Sequence, residues 1–127
     1  ILPGVMPVLE YLKENNQGIA LGSASKNARP ILEKTGILSY FNVIIDGNDV
    51  TNAKPDPEVF VQAAKGLQIA NENAIVFEDS VAGIQAANAA KMVSIGIGEA
   101  NVLHEAQYIF KNFTYMDLSF IETLIKK

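Results

Sequence analysis

The sequence has no cysteine and only one histidine among its 127 residues. The absence of cysteine excludes disulfide bonds, thiolate metal sites and a catalytic thiol, and it fits a cytoplasmic protein. The single histidine, His104, lies in a polar stretch, where we expect a surface position. No run of apolar residues approaches the roughly 18 that a membrane-spanning helix requires.

Positive charge is also scarce. Ten Lys and Arg residues stand against fourteen Asp and Glu residues, so the net charge is −4 and the isoelectric point is near 4.9. No cluster of basic residues occurs along the chain. Binding to the phosphate backbone of a nucleic acid requires a concentrated positive surface. We therefore expect neither a nucleic acid nor a membrane among the partners of this protein.

Apolar residues, in contrast, are plentiful. They make up 49% of the sequence, whereas charged residues make up 19%. This balance excludes intrinsic disorder. A chain of this length can bury about two-thirds of its surface on folding, which is enough for one hydrophobic core. No linker, repeat or change of composition divides the sequence, so we expect residues 1–127 to belong to one domain.

Short apolar runs alternate with segments of helical periodicity. The runs are continuous rather than alternating, which is typical of strands covered on both faces in a parallel sheet. We expect strands at residues 19–22, 43–45, 74–77, 93–97 and 108–110. Strands and helices that alternate at this spacing predict an α/β fold. The expected architecture is a three-layer, Rossmann-like fold on a mostly parallel sheet.

The helix boundaries also have recognisable signals. In the second helix, Ile31 and Leu32 are expected to face inward, and Gly36 is expected just beyond the C-terminus. Asp56 is a candidate N-cap for the third helix, with Pro57 as its first residue. Ser80 is the candidate N-cap of the fourth helix.

Three polar clusters follow predicted strands. Ligands of open parallel α/β sheets bind beyond the carboxyl ends of the strands, so these clusters are candidate binding residues. The first cluster is residues 23–27, Ser-Ala-Ser-Lys-Asn, which follows the strand at 19–22. Its hydroxyls, its amide and the N-terminus of the next helix could bind an anion, or the serines could simply cap that helix.

The second cluster is Lys54-Pro55-Asp56-Pro57. Two prolines stiffen the loop and fix the direction in which Lys54 projects. A lysine held at the end of a strand is suited to neutralising a phosphate. The alternative is a solvated surface lysine that precedes a helix beginning at proline.

The third cluster is Glu78-Asp79-Ser80, directly after the apolar strand at 74–77. Two adjacent carboxylates in this position are costly unless a cation or hydrogen bonds compensate them. Magnesium prefers one or two carboxylates together with phosphate and water. The alternative is that Asp79 and Ser80 only cap the following helix.

In this order, the three clusters resemble the motifs of the haloacid dehalogenase-like phosphotransferases. The specific matches are residues 54–60 and 77–84, and the resemblance extends from Leu2 to about Gly98. Within the superfamily, residues 22–27 are most similar to the β-phosphoglucomutase group. The related phosphatases more often have Thr-Asn at positions 23 and 24.

The resemblance implies a role for each cluster. Ser23 and Lys54 would be catalytic and would hold the phosphoryl group that is transferred. Glu78 and Asp79 would help to bind Mg²⁺, and the substrate would be a phosphorylated sugar. The substrate-binding residues implied by the resemblance are Ser23, Ala24, Ser25, Lys26, Asn27 and Lys54.

Two features of this superfamily do not occur in the sequence: the Asp-x-Asp first motif, which supplies the aspartyl nucleophile and the general acid/base, and the helical cap domain. Leu2-Pro3-Gly4 resembles the point where the chain returns from the cap to the core. The expectation is a partial core domain that is inactive alone. Its parent would be an enzyme that converts β-glucose 1-phosphate to glucose 6-phosphate through an aspartyl phosphate, or alternatively a sugar-phosphate phosphatase.

The same resemblance places the first-motif strand at the centre of the sheet, between the strands that end at Gly22 and Asp79. Without it, these two strands must either pair directly or accept a strand from elsewhere. We expect the second outcome, by self-association or by binding of an N-terminal segment, because unpaired apolar edges invite association.

Two other functional classes are also possible interpretations of the sequence: a phospho-accepting receiver domain and a non-catalytic interaction domain. A receiver also combines a parallel sheet with an acidic pair, a hydroxyl and a lysine. Its acidic pair, however, precedes the other residues, whereas Glu78 and Asp79 come last in this sequence. Binding of Mg²⁺ or of a phosphate analogue at the strand ends would argue against a plain interaction domain.

Overall fold

A computed structural model describes residues 4–23 and 28–125 of the chain. Over these residues there are five α-helices and five short β-strands, which alternate except that β5 follows β4 directly. In chain order the elements are α1 (Val5–Glu14), β1 (Ala20–Gly22), α2 (Ala28–Thr35), β2 (Val43–Ile45), α3 (Glu58–Leu67), β3 (Ile75–Glu78), α4 (Val81–Ala89), β4 (Val93–Ile97), β5 (Tyr108–Phe110) and α5 (Leu118–Ile125). Single 3₁₀ turns lie at Leu38–Tyr40, Asn71–Asn73 and Phe113–Tyr115.

The strands form two parallel sheets. β1 pairs with β2, with Leu21 opposite Ile44, and β4 lies between β3 and β5, with Ile95 opposite Phe77 and Tyr108. Within the described residues, β1 and β3 do not pair with each other. The predicted α/β class with a parallel sheet is confirmed. The direct pairing of β1 with β3, the first of the two outcomes considered above, does not occur within the described residues.

Helices cover the strands on two faces. α3 and α4 share one core cluster with Val76 of β3, whereas α1 and α5 pack in a second cluster with Ile95 and Ile97 of β4. Ile75 and Phe77, the residues on either side of Val76, pack against the second cluster. The reason is that successive side chains of a strand point to opposite faces. The result is a helix–sheet–helix sandwich.

Two of the predicted helix signals are confirmed. Gly36 follows α2 with φ 77°, and its amide and that of Ile37 bond back to carbonyls of the last turn. The Oγ of Ser80 accepts a hydrogen bond of 3.0 Å from the Gly83 amide at the start of α4.

Two local predictions are wrong. Leu32 is buried, with 7% of its surface exposed, but Ile31 points outward and is 55% exposed. Adjacent residues of a helix lie about 100° apart, so a narrow buried stripe admits only one of the two. α3 begins at Glu58, with Pro57 as its N-cap. Asp56 lies one residue earlier, and its Oδ1 still accepts a 2.9 Å hydrogen bond from the Glu58 amide.

None of the helices in the described part of the chain is long and apolar enough to cross a membrane.

Candidate active site

A cavity of about 280 Å³ opens where β1, β3 and β4 end. It brings together one residue or more from each of the three predicted clusters, although these lie up to 56 positions apart in the sequence. The lining residues are Leu21, Gly22, Ser23, Lys54, Phe77, Glu78, Asp79, Ile97 and Phe113. The remaining members of the first cluster, Ala24, Ser25, Lys26 and Asn27, lie outside the described residues.

Lys54 is held in this cavity from two sides. Its Nζ lies 2.8 Å from Oε2 of Glu78, and it also stands 5.1 Å from the centre of the Phe60 ring. Only 18% of the lysine side chain is exposed. The ammonium group is therefore pre-positioned by an ion pair and a cation–π contact, whereas a solvated surface lysine would sample many rotamers. Phe60 was not among the predicted site residues.

The loop that carries Lys54 is fastened to the first turn of α3. One carboxylate, that of Glu58, accepts hydrogen bonds from the Thr51 amide at 2.7 Å, the Asn52 amide at 2.9 Å and the Gln62 side chain at 2.9 Å. The backbone bonds from Thr51 and Asn52 lower the pKa of Glu58 below its ordinary value of 4.5. Glu58 is a second site residue that the sequence analysis did not identify. It lies inside the matched segment 54–60, and its acidic side chain so close to Lys54 could have indicated a role in the site.

Glu78 is fully engaged by protein donors. While Oε2 pairs with Lys54, Oε1 accepts hydrogen bonds from the Asp79 amide at 3.0 Å, the Ser80 amide at 3.2 Å and the Ser80 hydroxyl at 3.1 Å. Burial by itself would raise the pKa of Glu78, but the hydrogen bond and charge of Lys54, together with the hydrogen bonds from Asp79 and Ser80, lower it. The Glu78 carboxylate is therefore ionised and anchors Lys54.

Asp79 has the opposite electrostatic setting. Partial burial raises its pKa, and the hydrogen bond and negative charge of Glu78 raise it further. Such a carboxylate is stabilised by an added cation, and a carboxylate pair beside a phosphate site is a donor set that suits Mg²⁺. No group of three or more acidic, histidine or cysteine side chains that could hold a metal occurs within residues 4–23 and 28–125.

Ser23 is the first residue beyond β1. Its amide donates a 2.9 Å hydrogen bond to the Ile45 carbonyl, which extends the parallel ladder of β1 and β2 by one step. The preceding residue, Gly22, permits close packing on α3, because a Cβ there would come within 2.9 Å of Val59 and 3.3 Å of Phe60. Pairing with β2 and close packing on α3 therefore fix where the backbone of Ser23 lies at the cavity.

Residues 1–91 match the family model for haloacid dehalogenase-like hydrolases. The chain belongs to the haloacid dehalogenase-like hydrolase family. This result confirms the resemblance carried by the Lys54 and Glu78–Asp79 motifs, and it covers all three predicted clusters. The family's homologues are phosphatases and phosphomutases.

Individual members of the haloacid dehalogenase-like family are similar over most of the chain. A β-phosphoglucomutase from Bacillus subtilis is 32% identical over 121 residues, which are 95% of this chain and 54% of that protein. A phosphorylated carbohydrates phosphatase from Thermotoga maritima is 36% identical over 90 residues, 69% of this chain and 42% of that protein. The chain spans about half the length of these relatives.

Solved structures of the family have the same fold. The crystal structure of a β-phosphoglucomutase from Clostridium difficile superimposes with a TM-score of 0.93 at 39% identity, over 99% of this chain and 56% of that one. The arrangement of β1–β5 with their covering helices is therefore a haloacid dehalogenase-like, Rossmann-type core.

Proposed function

We propose that the protein containing this chain catalyses Mg²⁺-dependent phosphoryl transfer on a phosphorylated sugar, as a β-phosphoglucomutase. The observation that carries the proposal is the cavity in which a fixed lysine, a serine and a carboxylate pair converge. The similarity to two β-phosphoglucomutases supports the choice of reaction. A cytoplasmic location stays a prediction that rests on the cysteine-free composition.

The chain's own residues would act on the charge of the phosphoryl group. Lys54 and Ser23 would donate hydrogen bonds to its non-bridging oxygens, where negative charge must be stabilised during transfer. The ion pair with Glu78 and the ring of Phe60 keep the lysine in place before substrate arrives. Because this geometry exists in advance, little reorganisation is needed at the moment of transfer.

Asp79, together with Glu78, would hold the magnesium ion. Enzymes of this family generally use Mg²⁺, which supplies positive charge to a transferring phosphoryl group. The Glu78 oxygens are engaged by Lys54, Asp79 and Ser80, whereas Asp79 has the raised pKa that a cation would reverse. We therefore assign Asp79 the larger share of metal binding and Glu78 the larger share of lysine positioning.

The nucleophile is not among these residues. Transfer through an aspartyl phosphate requires a carboxylate in line with phosphorus, and no Asp-x-Asp sequence occurs in the 127 residues. Glu78 is paired with a cation and Asp79 is assigned to the metal, so neither is placed for attack. We expect residues 1–127 alone to show no turnover.

The test is product analysis on the complete gene product. With β-glucose 1-phosphate and Mg²⁺, phosphorus NMR should show glucose 6-phosphate, and the Lys54→Ala variant should lose this conversion. Release of inorganic phosphate without the isomer would contradict the mutase and support the second candidate, a sugar-phosphate phosphatase. That candidate is equally supported by the comparisons, through the 36% identity to a phosphorylated carbohydrates phosphatase.

Metal binding is tested on the 127-residue chain. Calorimetry should detect weak Mg²⁺ binding at most, because only two carboxylates of the described part face the cavity. Micromolar affinity that disappears in Asp79→Ala would show that the ligand set is complete without any further segment, and it would contradict this part of the proposal.

A strand from outside the described residues is also proposed between β1 and β3. Both strands are paired on one side only within the described chain, yet their ends line the same cavity. Self-association or an N-terminal segment could supply the strand. We expect a mass above 13.7 kDa in sedimentation of the folded chain; a compact monomer that unfolds cooperatively would contradict it.

A further inference from the structure

Gly83, in the first turn of α4, has its side-chain position occupied by another residue. A Cβ built on Gly83 would overlap the carboxyl carbon, Cγ and Oε2 of Glu78. The Glu78 side chain therefore folds back over the start of α4, through space that only a glycine leaves open.

The placement of Glu78 against Gly83 determines what its carboxylate can reach. From this position Oε2 lies 2.8 Å from Nζ of Lys54, and Oε1 accepts a 3.1 Å hydrogen bond from the Ser80 hydroxyl. The same hydroxyl accepts the 3.0 Å bond from the Gly83 amide. Gly83 thus supplies both the room for Glu78 and the donor that orients Ser80 beside it.

We propose that Gly83 is a positioning residue for Lys54, because the missing side chain admits Glu78 to the place from which it holds the lysine in the cavity. The role in phosphate binding that this gives to Gly83 rests on the proposed function. The packing of Gly83 against Glu78 and the ion pair of Glu78 with Lys54 are independent of that function.

An alanine at this position makes the proposal testable, because alanine is ordinarily the better residue in a helix. Gly66 in α3 is the matched control. The three atoms nearest to a Cβ there belong to the Val43 side chain, at 3.0–3.6 Å, and Val43 does not line the cavity. Gly66→Ala should therefore leave activity unchanged.

The experiment compares Gly83→Ala, Glu78→Ala, their combination and Gly66→Ala in the complete gene product. Three quantities are measured: the urea midpoint, the rate of acetic anhydride labelling of Lys54 by mass spectrometry, and the rate of phosphoryl transfer. Gly83→Ala should lower the urea midpoint and speed the labelling of Lys54. The transfer rate should fall roughly 10- to 100-fold, the scale of a small misplacement of a catalytic group.

The decisive result is that the effect of Gly83→Ala on the urea midpoint changes sign when Glu78 has been removed. Once Glu78→Ala has removed the overlapping atoms, adding Gly83→Ala should raise the urea midpoint, and it should not increase Lys54 labelling further. If Gly83→Ala alone prevents folding, recovery of the folded protein in the double variant supports the proposal equally.

Either of two outcomes would overturn the proposal: an equal loss of stability with and without Glu78, or unchanged Lys54 labelling in Gly83→Ala. Failure of the proposed function would look different. The wild-type protein would then show no phosphoryl transfer, while the sign change and the labelling difference would still appear.

Discussion

The central strand of the three-stranded sheet is buried more deeply than either strand of the two-stranded sheet. In the three-stranded sheet, β4 has a strand on both sides and four of its five residues are buried. In the two-stranded sheet, all residues of β1 and β2 are only half-buried. Within the described residues each of these two strands has a single neighbour, so one edge of each lacks a strand.

Both sheets contribute to the candidate site. The three-stranded sheet supplies the carboxylates, Glu78 and Asp79, at the end of β3, whereas the two-stranded sheet supplies Ser23 at the end of β1. Lys54 follows β2 in the chain but forms its ion pair with Glu78 at the end of β3. The candidate site therefore lies where the two sheets meet, and Lys54 connects them.

Removing this connecting residue should have the largest effect. Lys54→Ala should lower phosphoryl transfer by the complete protein roughly 10²–10³-fold, the loss typical of one pre-organised charge donor. Stability should fall by about 1–3 kcal/mol, because Glu78 loses a charged partner in a partly buried place. Lys65→Ala, at an exposed position of α3, is the control and should change neither quantity. A loss of activity below threefold would refute the phosphate-binding role.

The same substitution in each sheet tests the packing contrast. Ile95 of β4 is 0% exposed, so Ile95→Ala should cost about 2–5 kcal/mol in the free energy of unfolding. Ile45 of β2 is half-buried, and Ile45→Ala should cost roughly 1–2 kcal/mol, because less apolar surface leaves water there on folding. Urea unfolding of both variants measures the costs. Equal values would mean that the two sheets are equally covered in solution.

A polar group inside the three-stranded sheet gives a smaller expected loss. The Ser94 hydroxyl donates to Asn88 Oδ1 at 2.7 Å and accepts from the Gln107 amide at 3.1 Å. Ser94→Ala leaves Asn88 Oδ1 without this donor, whereas the Gln107 amide keeps its 3.0 Å hydrogen bond to the Ser94 carbonyl, so the cost should be about 0.5–1.5 kcal/mol. Thermal unfolding compared with Ser119→Ala, at an exposed position of α5, provides the measurement. A neutral result would show that the bonds are replaced by water.

The smallest effect is expected from Glu58, and it depends on pH. Hydrogen bonds from the Thr51 and Asn52 amides lower the pKa of Glu58, so its stabilising contribution is present above pH 4.5 and is lost as pH falls through the lowered value. Glu58→Gln should therefore reduce the urea midpoint slightly at pH 7, and the difference from wild type should shrink as the pH falls below 4.5. A difference that stays constant as the pH falls would contradict this linkage.

Several features of the site were predictable because they depend on nearby residues. Ser80 caps α4 and Gly36 ends α2 as expected, since capping bonds form within one helical turn. Ser23 and the acidic pair were placed at strand ends by the continuous apolar runs directly before them, and Lys54, nine residues beyond the run at 43–45, was placed by its proline-stiffened loop. That they line one cavity followed from the parallel arrangement of the strands.

Other features were not predictable from local patterns. Glu78 and Lys54 meet from 24 positions apart. Glu58, Phe60 and Gly83 lie only five to seven positions from Thr51, Lys54 and Glu78, but the chain between them is loop or turn, where no helical or strand periodicity specifies contacts. The outward orientation of Ile31 likewise depends on what packs against α2. The roles inferred by resemblance stay predictions for all of the site residues: Ser23, the segment 24–27, Lys54, Glu78 and Asp79.

The sequence by itself determined the elements and their order, because strand runs, helical spacing and caps are local properties of the chain. It also determined which residue types stand at the strand ends. Only the tertiary structure decided that the strands form two separate sheets, that Glu78 holds Lys54 and that Gly83 leaves the room for this contact. These outcomes depend on how distant surfaces meet, where steric exclusion and the pairing of buried charges act between residues that the chain itself keeps apart.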